Sequence, residues 1–420
     1  MHKTTLPNGI RVITQSMPHS NSTSIDLGID VGSRHELEPI SGVSHFIEHL
    51  LFKGTENKPS AIEISETIEK TGGILNAATD HESTIYWCKV VATERTKGLE
   101  LLLDMVQNSL FNPKEIELER HVIIEEINSI NDFPNSRADA MLDELMWEGD
   151  PLGRDIAGNK DSVASMSRID IIDFMNSHYT GNNIVCSVAG RLEHDQMVES
   201  VERCTRSIIP GNKTFLPQVS SNQCFPKYRY EYRDTEQIHM SLGFPGVSRK
   251  SPDRYPVDLL AAILGEGMSS RLFSELREKR GLVYDIGSGT SHFHDTGVIH
   301  ISAGLKKTEY LETIEIIFRE IQRCMSDVNQ GELDKIKSLF AGRLQLRLED
   351  TKFVSGWNIS HELAYGEALS PENVLALIKD VALDDVIKVA HQYLSKQKAN
   401  ISLVGPIKDS TGLLEILETT

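Results

Sequence analysis

The chain repeats one order of sequence elements at an offset of about 214 residues. A helical segment, a tyrosine and an apolar strand that ends in glycine occur in this order in each half. The tyrosines are Tyr179 and Tyr393, which are 393 − 179 = 214 positions apart, and the glycines are Gly190 and Gly405, which are 405 − 190 = 215 positions apart. Such a repeat predicts two related domains of about 210 residues each.

The predicted domains are residues 1–209 and residues 229–420, joined by a linker at residues 210–228. The linker is rich in turn-forming residues and lacks hydrophobic periodicity. Residues 25–31 are predicted to form a strand, and residues 62–71 and 99–110 are predicted to form helices. Strands and helices mix without regular alternation, so each domain is predicted as α+β.

The composition argues against several classes of partner. Lys and Arg number 43 and Asp and Glu number 61, so the net charge is 43 − 61 = −18. An acidic surface repels phosphate backbones, and no basic patch is found, so no nucleic-acid partner is expected. No run of about 18 apolar residues occurs, so no membrane span is expected. Five scattered cysteines and an N-terminus unlike a signal peptide predict a cytoplasmic location.

The segment from Ser41 to Gly54 is predicted to form a helix that carries a metal-binding pattern. Ser41 is expected to cap this helix and Gly54 to end it. His45 and His49 are spaced i and i+4, so both imidazoles leave the same face and can reach one Zn²⁺ at about 2.0–2.1 Å. Glu48 is close enough to take a proton from a metal-bound water. The alternative is a buried amphipathic helix, but the H-x-x-E-H spacing favours a metal site.

A second predicted helix, at residues 119–127, offers a third metal ligand. Glu119 and Glu126 are seven positions apart and share a face of this helix, whereas Glu125 points about 100° away. From this geometry alone Glu126, Glu119 and His121 compete for the role, and each of them also suits a solvated surface.

His45, Glu48 and His49 form the inverted zinc motif, and Glu126 follows the second histidine by 126 − 49 = 77 positions. In this combination the chain resembles the insulinase/pitrilysin-type zinc metallopeptidases, and within them the small bacterial and mitochondrial-processing-peptidase-like members. Segments in both halves match the same family, and they lie at residues 7–9, 32–34, 52–55, 72–79, 269–273 and 277–284. The resemblance covers nearly the whole chain.

The resemblance implies a role for each residue of the first domain's site. It makes His45, His49 and Glu126 the ligands of one zinc ion and Glu48 the general base. It makes Glu119 an auxiliary acidic residue that orients a ligand histidine. It also places Asn76-Ala77 on an edge strand, to which a substrate peptide would add as a further strand.

The resemblance further implies that Arg277 and Tyr284 of the second domain contact the substrate and stabilise the oxyanion. The local sequence by itself indicates an exposed charge at position 277 and a half-buried strand aromatic at position 284. At the repeat offset, the zinc-motif residues fall on Leu259, Ala262 and Ile263, which cannot bind metal, so one zinc per chain is expected.

In this family a zinc-bearing half faces a metal-free half across a closed chamber, so each chain is expected to form half of a clamshell. Because this chain has both the zinc motif and the Arg/Tyr pair, a homodimer with active sites completed in trans is expected. The leading hypothesis is a zinc endopeptidase acting on short or unfolded peptides. The alternatives are a non-catalytic peptide-binding subunit of a processing-peptidase-like complex and a zinc hydrolase of a non-peptide substrate.

Overall fold

The first half of the chain forms six strands and eight helices in the computed structural model, which describes residues 1–219 and 223–418. Residues 220–222 of the predicted linker lie outside this range. The strands are β1 (His2–Thr5), β2 (Arg11–Ser16), β3 (Ser22–Ile29), β4 (Ile74–Thr79), β5 (Thr84–Val91) and β6 (Ile184–Gly190). The helices are α1 (Val43–Leu51), α2 (Ala61–Glu69), α3 (Arg95–Asn108), α4 (Pro113–Asp132), α5 (Pro134–Met146), α6 (Lys160–Ser165), α7 (Arg168–His178) and α8 (His194–Cys204).

The second half repeats this mixture of elements. Its strands are β7 (Lys227–Tyr232), β8 (Gln237–Pro245), β9 (Val283–His292), β10 (Gly297–Lys306) and β11 (Asn400–Gly405). Its helices are α9 (Arg254–Gly265), α10 (Tyr310–Cys324), α11 (Gln330–Arg347), α12 (Thr351–Tyr365), α13 (Pro371–Asp380), α14 (Leu383–Tyr393) and α15 (Thr411–Glu418). The predicted strand at 25–31 and the predicted helices at 62–71 and 99–110 correspond to β3, α2 and α3.

The two sheets have the same topology. The first sheet has the order β1-β2-β6-β3-β5-β4, and the second has the order β7-β11-β8-β10-β9. In the first sheet β2 and β6 are parallel and the other pairs are antiparallel, and in the second sheet β7 and β11 are the parallel pair. Apart from β1, each strand of one sheet has a counterpart at the same place in the other. The predicted duplication of an α+β domain is therefore confirmed.

The compact units of the fold are not two continuous stretches of sequence. Unit 1 contains Met1–Asn128, Arg154–Pro217 and Leu344–Leu369, and unit 2 contains Ser129–Gly153, Gln218–Arg343 and the chain from Ser370 onward. Each unit thus includes one helix from the other half of the sequence, α12 in unit 1 and α5 in unit 2. The ranges 1–209 and 229–420 stay a prediction about the sequence repeat, whereas the packing follows the two units.

Equivalent glycines and serines let the two exchanged helices approach their sheets. A Cβ atom on Gly28 of β3 would lie 2.8 Å from the Ile359 side chain of α12, and one on Gly243 of β8 would lie 2.6 Å from the Met146 side chain of α5. Ser187 of β6 donates its hydroxyl to a carbonyl of α12 at 2.9 Å, and Ser402 of β11 donates to a carbonyl of α5 at 2.5 Å. Small residues on the sheet therefore permit close helix packing in both units.

The core of unit 1 is formed by the first sheet and by side chains of α1, α2, α3, α4, α7 and α8. The buried side chains of α1 that contribute to it are Val43, Phe46, Ile47, Leu50 and Leu51. These residues fix one face of α1 against the sheet, so its polar face carries the site described below. Across the described ranges 1–219 and 223–418, no helix combines the length and the apolar character needed to cross a membrane.

Candidate active site

Helix α1 is capped by a carboxylate from an earlier turn. Oε2 of Glu36 accepts a hydrogen bond from the N–H of Gly42 at 2.6 Å, and Oε1 accepts one from the N–H of Ser44 at 2.8 Å. The prediction that Ser41 caps this helix is wrong, because Gly42 occupies the N-cap with a φ of +93° and no side-chain cap bond. The helix also ends at Leu51, before Gly54. The buried Glu36 carboxylate thus accepts hydrogen bonds from two of the first N–H groups of α1. Its negative charge lies at the positive end of the helix dipole, which is a favourable position.

This cap predicts a pH-dependent stability. Burial raises the pKa of Glu36 from 4.5 to about 7, so between these values the folded chain holds a proton that the unfolded chain has released. The free energy of unfolding should therefore fall by about 3 kcal/mol as pH rises from the lower value to the higher one. In Glu36→Gln this contribution should be absent. Urea unfolding of both proteins across this pH range measures the difference, and identical pH dependence would contradict the assignment.

His45 and His49 project from the same face of α1, as the spacing predicts. Their Nε2 atoms lie 3.3 Å apart, and the two rings meet edge to face. Burial, with a smaller contribution from His49, lowers the pKa of His45 to about 4, so this imidazole is neutral at pH 7. The neutral ring is the form that binds metal ions.

Glu126 of α4 completes a three-residue group with the two histidines. Its Oε2 lies 3.7 Å from Nε2 of His45 and 3.6 Å from Nε2 of His49. Donors about 2.0–2.1 Å from a tetrahedral metal ion are separated by about 3.3–3.4 Å, which is close to the three distances here. Among the residues that the structure describes, this is the one group of His, Cys, Asp or Glu side chains found able to hold a metal ion.

Glu119 orients His49 from the side opposite the metal group. Its Oε2 accepts a hydrogen bond from Nδ1 of His49 at 3.0 Å, and its Oε1 forms an ion pair with Nζ of Lys53 at 2.6 Å. The Glu119 side chain is almost completely buried. A proton held on Nδ1 leaves the lone pair of Nε2 directed at the metal group. Of the three residues that competed for the third-ligand role, Glu119 therefore faces the histidine instead, and His121 is exposed.

Glu48 lies three positions after His45 on α1, and its side chain contacts Thr79, the last residue of β4. Oε2 of Glu48 accepts a hydrogen bond from Oγ1 of Thr79 at 2.5 Å. Burial raises the pKa of Glu48, and the nearby Glu126 adds to this effect, whereas Thr79 and His49 oppose it. Glu48 is thus held beside the metal group without belonging to it.

Asn76 and Ala77 lie on β4, at one edge of the first sheet. The N–H of Ala77 donates to Oδ1 of Asn76 at 2.8 Å. Asn76 is exposed and Ala77 is half-buried. The predicted edge strand is therefore present, and its main chain is accessible along one side.

Arg277 and Tyr284 lie in unit 2, where they contact each other. The guanidinium carbon of Arg277 lies 5.2 Å from the centroid of the Tyr284 ring and 4.8 Å from that of Phe273. Arg277 belongs to a π-helical turn, Phe273–Glu278, and Tyr284 is 75% exposed on β9. The local sequence had indicated the reverse, an exposed arginine and a half-buried tyrosine, because it cannot show that the two side chains stack.

Helix α9, the counterpart of α1 in the second half of the chain, is apolar at the positions where α1 carries the zinc motif. The counterparts of His45, Glu48 and His49 are Leu259, Ala262 and Ile263, all of them buried on α9. Within unit 2 these positions therefore contribute to the core.

Three residues of the site were missed by the sequence analysis. Lys53 and Thr79 lie inside matched segments, but nothing in those segments indicates which carboxylates they contact. Glu36 gave no signal, because a capping residue six positions before the N-cap can only be identified from the chain path.

Two family models match the chain. A model described as insulinase, peptidase family M16, matches residues 11–160, and one described as the peptidase M16 inactive domain matches residues 165–340. An uncharacterized zinc protease of Streptomyces coelicolor is 34% identical over 416 residues, which cover 97% of this chain and 90% of the relative. The chain belongs to the insulinase family of peptidases, M16. An uncharacterized zinc protease of Rickettsia felis is also 34% identical, over 96% of both chains.

Solved structures share the fold of this M16 family member. A protease from Helicobacter pylori has a TM-score of 0.90 at 24% identity, covering 96% of this chain and 98% of that one. A peptidase M16 inactive domain from Pseudomonas fluorescens has a TM-score of 0.88 at 18% identity, covering 97% of this chain and 98% of that one. Both likenesses concern the fold alone. In this M16 chain, His45, His49 and Glu126 fall within the insulinase match, and Arg277 and Tyr284 fall within the inactive-domain match.

Proposed function

We propose that this chain is a zinc-dependent endopeptidase that hydrolyses short or unfolded peptides. The observation that supports this proposal most strongly is that donor atoms of His45, His49 and Glu126 converge. Glu48 lies on the same helix as the two histidines. The two relatives named zinc protease support the choice of metal, because a His₂Glu set alone selects weakly among divalent ions. One zinc per chain is proposed.

The donor set fits zinc in charge as well as in spacing. Two neutral imidazoles and one carboxylate form a common catalytic zinc set that leaves a fourth position open. When bound, zinc would supply Lewis acidity that polarises a carbonyl and acidifies water. Glu119, paired with Lys53, holds His49 in the tautomer that presents Nε2 to the metal.

The chain's own residues provide the proton transfers and the binding of substrate. The Glu48 carboxylate accepts a proton from the attacking water and then delivers it to the leaving amine. A peptide pairs with the accessible side of β4, near Asn76 and Ala77, through main-chain hydrogen bonds. Arg277 and Tyr284 act on the oxyanion that develops at the cleaved carbonyl.

The alternative function is a peptide-binding subunit without turnover. The inactive-domain match raises this possibility, but it covers residues 165–340 and so excludes all three proposed ligands and Glu48. A subunit without turnover has no need of the half-buried Glu48 carboxylate beside an intact ligand set. Cleavage of a mixed peptide library, with and without a chelator, distinguishes the two functions.

We further propose that two copies of the chain pair so that Arg277 and Tyr284 of one serve the metal site of the other. The support is the family resemblance, together with the exposed Tyr284 ring and the presence of both machineries in one sequence. The natural partner is then a second copy of this chain, and the natural substrate is a peptide.

Mixing inactive Glu48→Gln chains with inactive Tyr284→Phe chains should therefore restore activity. Each mixed dimer would contain one site with both an intact base and an intact tyrosine. Random exchange of subunits predicts about a quarter of the wild-type activity. Glu48→Gln chains incubated with themselves are the control. Background activity in a mixture that native mass spectrometry shows to contain mixed dimers would contradict pairing in trans.

A further inference from the structure

Thr79 is the side chain that joins the peptide-binding edge strand to the proposed base. It is the last residue of β4, and its hydroxyl donates to Oε2 of Glu48 at 2.5 Å. A hydrogen bond restricts the rotation of the carboxylate that accepts it, and bonds to an ionised acceptor are stronger than neutral ones.

The hairpin that joins β4 to β5 shows which way the main-chain groups of β4 face. The N–H of Asp80 donates to the carbonyl of Ser83 at 2.8 Å and so faces β5, which directs the N–H of Thr79 away from β5 and toward the free side of the strand. Main-chain groups alternate in direction along a strand, so Ala77 presents its N–H to the same side. The bond from Ala77 to the Asn76 side chain agrees with this direction. The row of main-chain groups available to a peptide strand therefore ends at Thr79, whose hydroxyl contacts Glu48.

The turn that follows Thr79 is held in place by buried contacts. The N–H of Ser33 donates to the carbonyl of Asp80 at 3.2 Å, and the N–H of Arg34 donates to the carbonyl of His81 at 2.8 Å. The Arg34 guanidinium, which is fully buried, forms an ion pair with Glu82 at 2.6 Å. Thr79 is therefore a fixed point from which a side chain can be oriented.

We propose that Thr79 is a positioning residue, which fixes the Glu48 carboxylate relative to a peptide paired along β4. The inference rests on the proposed peptidase function. It assigns Thr79 to the chemical step, because its hydroxyl contacts the base, and leaves peptide affinity to the main chain of the strand.

Kinetics of the zinc-loaded protein test the role. Thr79→Val keeps the β-branched shape and removes the donor, and it should lower kcat by about 10–100-fold while KM stays within about twofold. Thr79→Ser restores a hydroxyl and should keep kcat within about threefold of wild type. Zinc content should be unchanged in both variants. Thr5→Val, on the strand at the opposite edge of the same sheet, is the matched control and should have wild-type kinetics.

A double-mutant cycle tests the contact without any measurement of hydrolysis. Thr79→Val is expected to lower the urea midpoint of the purified full-length chain. In a Glu48→Ala background the same substitution should lower the midpoint by less than half as much, because the acceptor is already absent.

The outcomes separate this inference from the proposed function. Equal midpoint shifts in both backgrounds, an unchanged kcat in Thr79→Val, or an effect confined to KM would each overturn the role of Thr79 while leaving a zinc peptidase intact. A zinc-loaded wild-type protein that cleaves no peptide would overturn the proposed function. In that case a smaller midpoint shift in the Glu48→Ala background would show that Thr79 and Glu48 form only a structural contact.

Discussion

Replacing Glu48 with glutamine is expected to lower peptide hydrolysis by about 10²–10⁴-fold, the contribution typical of a positioned acid–base group. Glutamine is nearly isosteric with glutamate but cannot accept the proton of the attacking water. Zinc should remain bound at the wild-type level, because Glu48 lies outside the group formed by His45, His49 and Glu126. Hydrolysis of a fluorogenic peptide and metal analysis of the same preparation provide the two readouts.

The same exchange at Glu125 is the matched control for this prediction. Glu125 is an exposed glutamate on α4, next to a proposed ligand in sequence, so its replacement should change neither readout. Loss of zinc from Glu48→Gln would show that Glu48 coordinates the metal. Wild-type hydrolysis by Glu48→Gln would remove it from the mechanism.

The second large effect is expected at Glu126. Glu126→Gln removes a full negative charge and one of three protein ligands, so zinc affinity should fall by more than about 100-fold. Glu119→Gln should cost about 10–100-fold, as is usual when a group that orients a ligand is lost. Glutamine at position 119 can still accept from Nδ1 of His49, but it no longer pairs with the charge of Lys53.

Competition with a zinc-binding dye measures both affinities on the full-length protein. The order of the effects is decisive, since the sequence alone left Glu119 and Glu126 as competing ligands. If Glu119→Gln lost zinc while Glu126→Gln retained it, the ligand assignment would be reversed.

Much of the fold could be predicted because the repeat encodes it. The buried strand that ends in Gly190 and its counterpart that ends in Gly405 became β6 and β11, which occupy the same place in two sheets that share their strand order apart from β1. The exchange of α5 and α12 could not be predicted in this way. Each helix lies within one half of the sequence but packs on the sheet of the other half, and the contacts at Gly28, Gly243, Ser187 and Ser402 show which sheet each helix covers.

The site was predictable where spacing along one helix decides geometry. His45 and His49 follow from the helical period, since i and i+4 positions share a face. Glu126 needed the family resemblance, because several polar residues of α4 suit the role by periodicity alone. Thr79 and Lys53 act across the fold, so their roles depend on contacts between residues that are distant in the sequence. The role of Glu36 depends on the path of the turn that leads into α1.

Zinc content and peptide hydrolysis, measured together on the purified wild-type chain, test the central proposal most directly. The proposal predicts one zinc ion per chain, loss of hydrolysis when a chelator removes the metal, and recovery when zinc is added back. Cleavage of a mixed peptide library by a protein verified as metal-free would contradict it. So would a folded, zinc-loaded protein that leaves every peptide of the library intact.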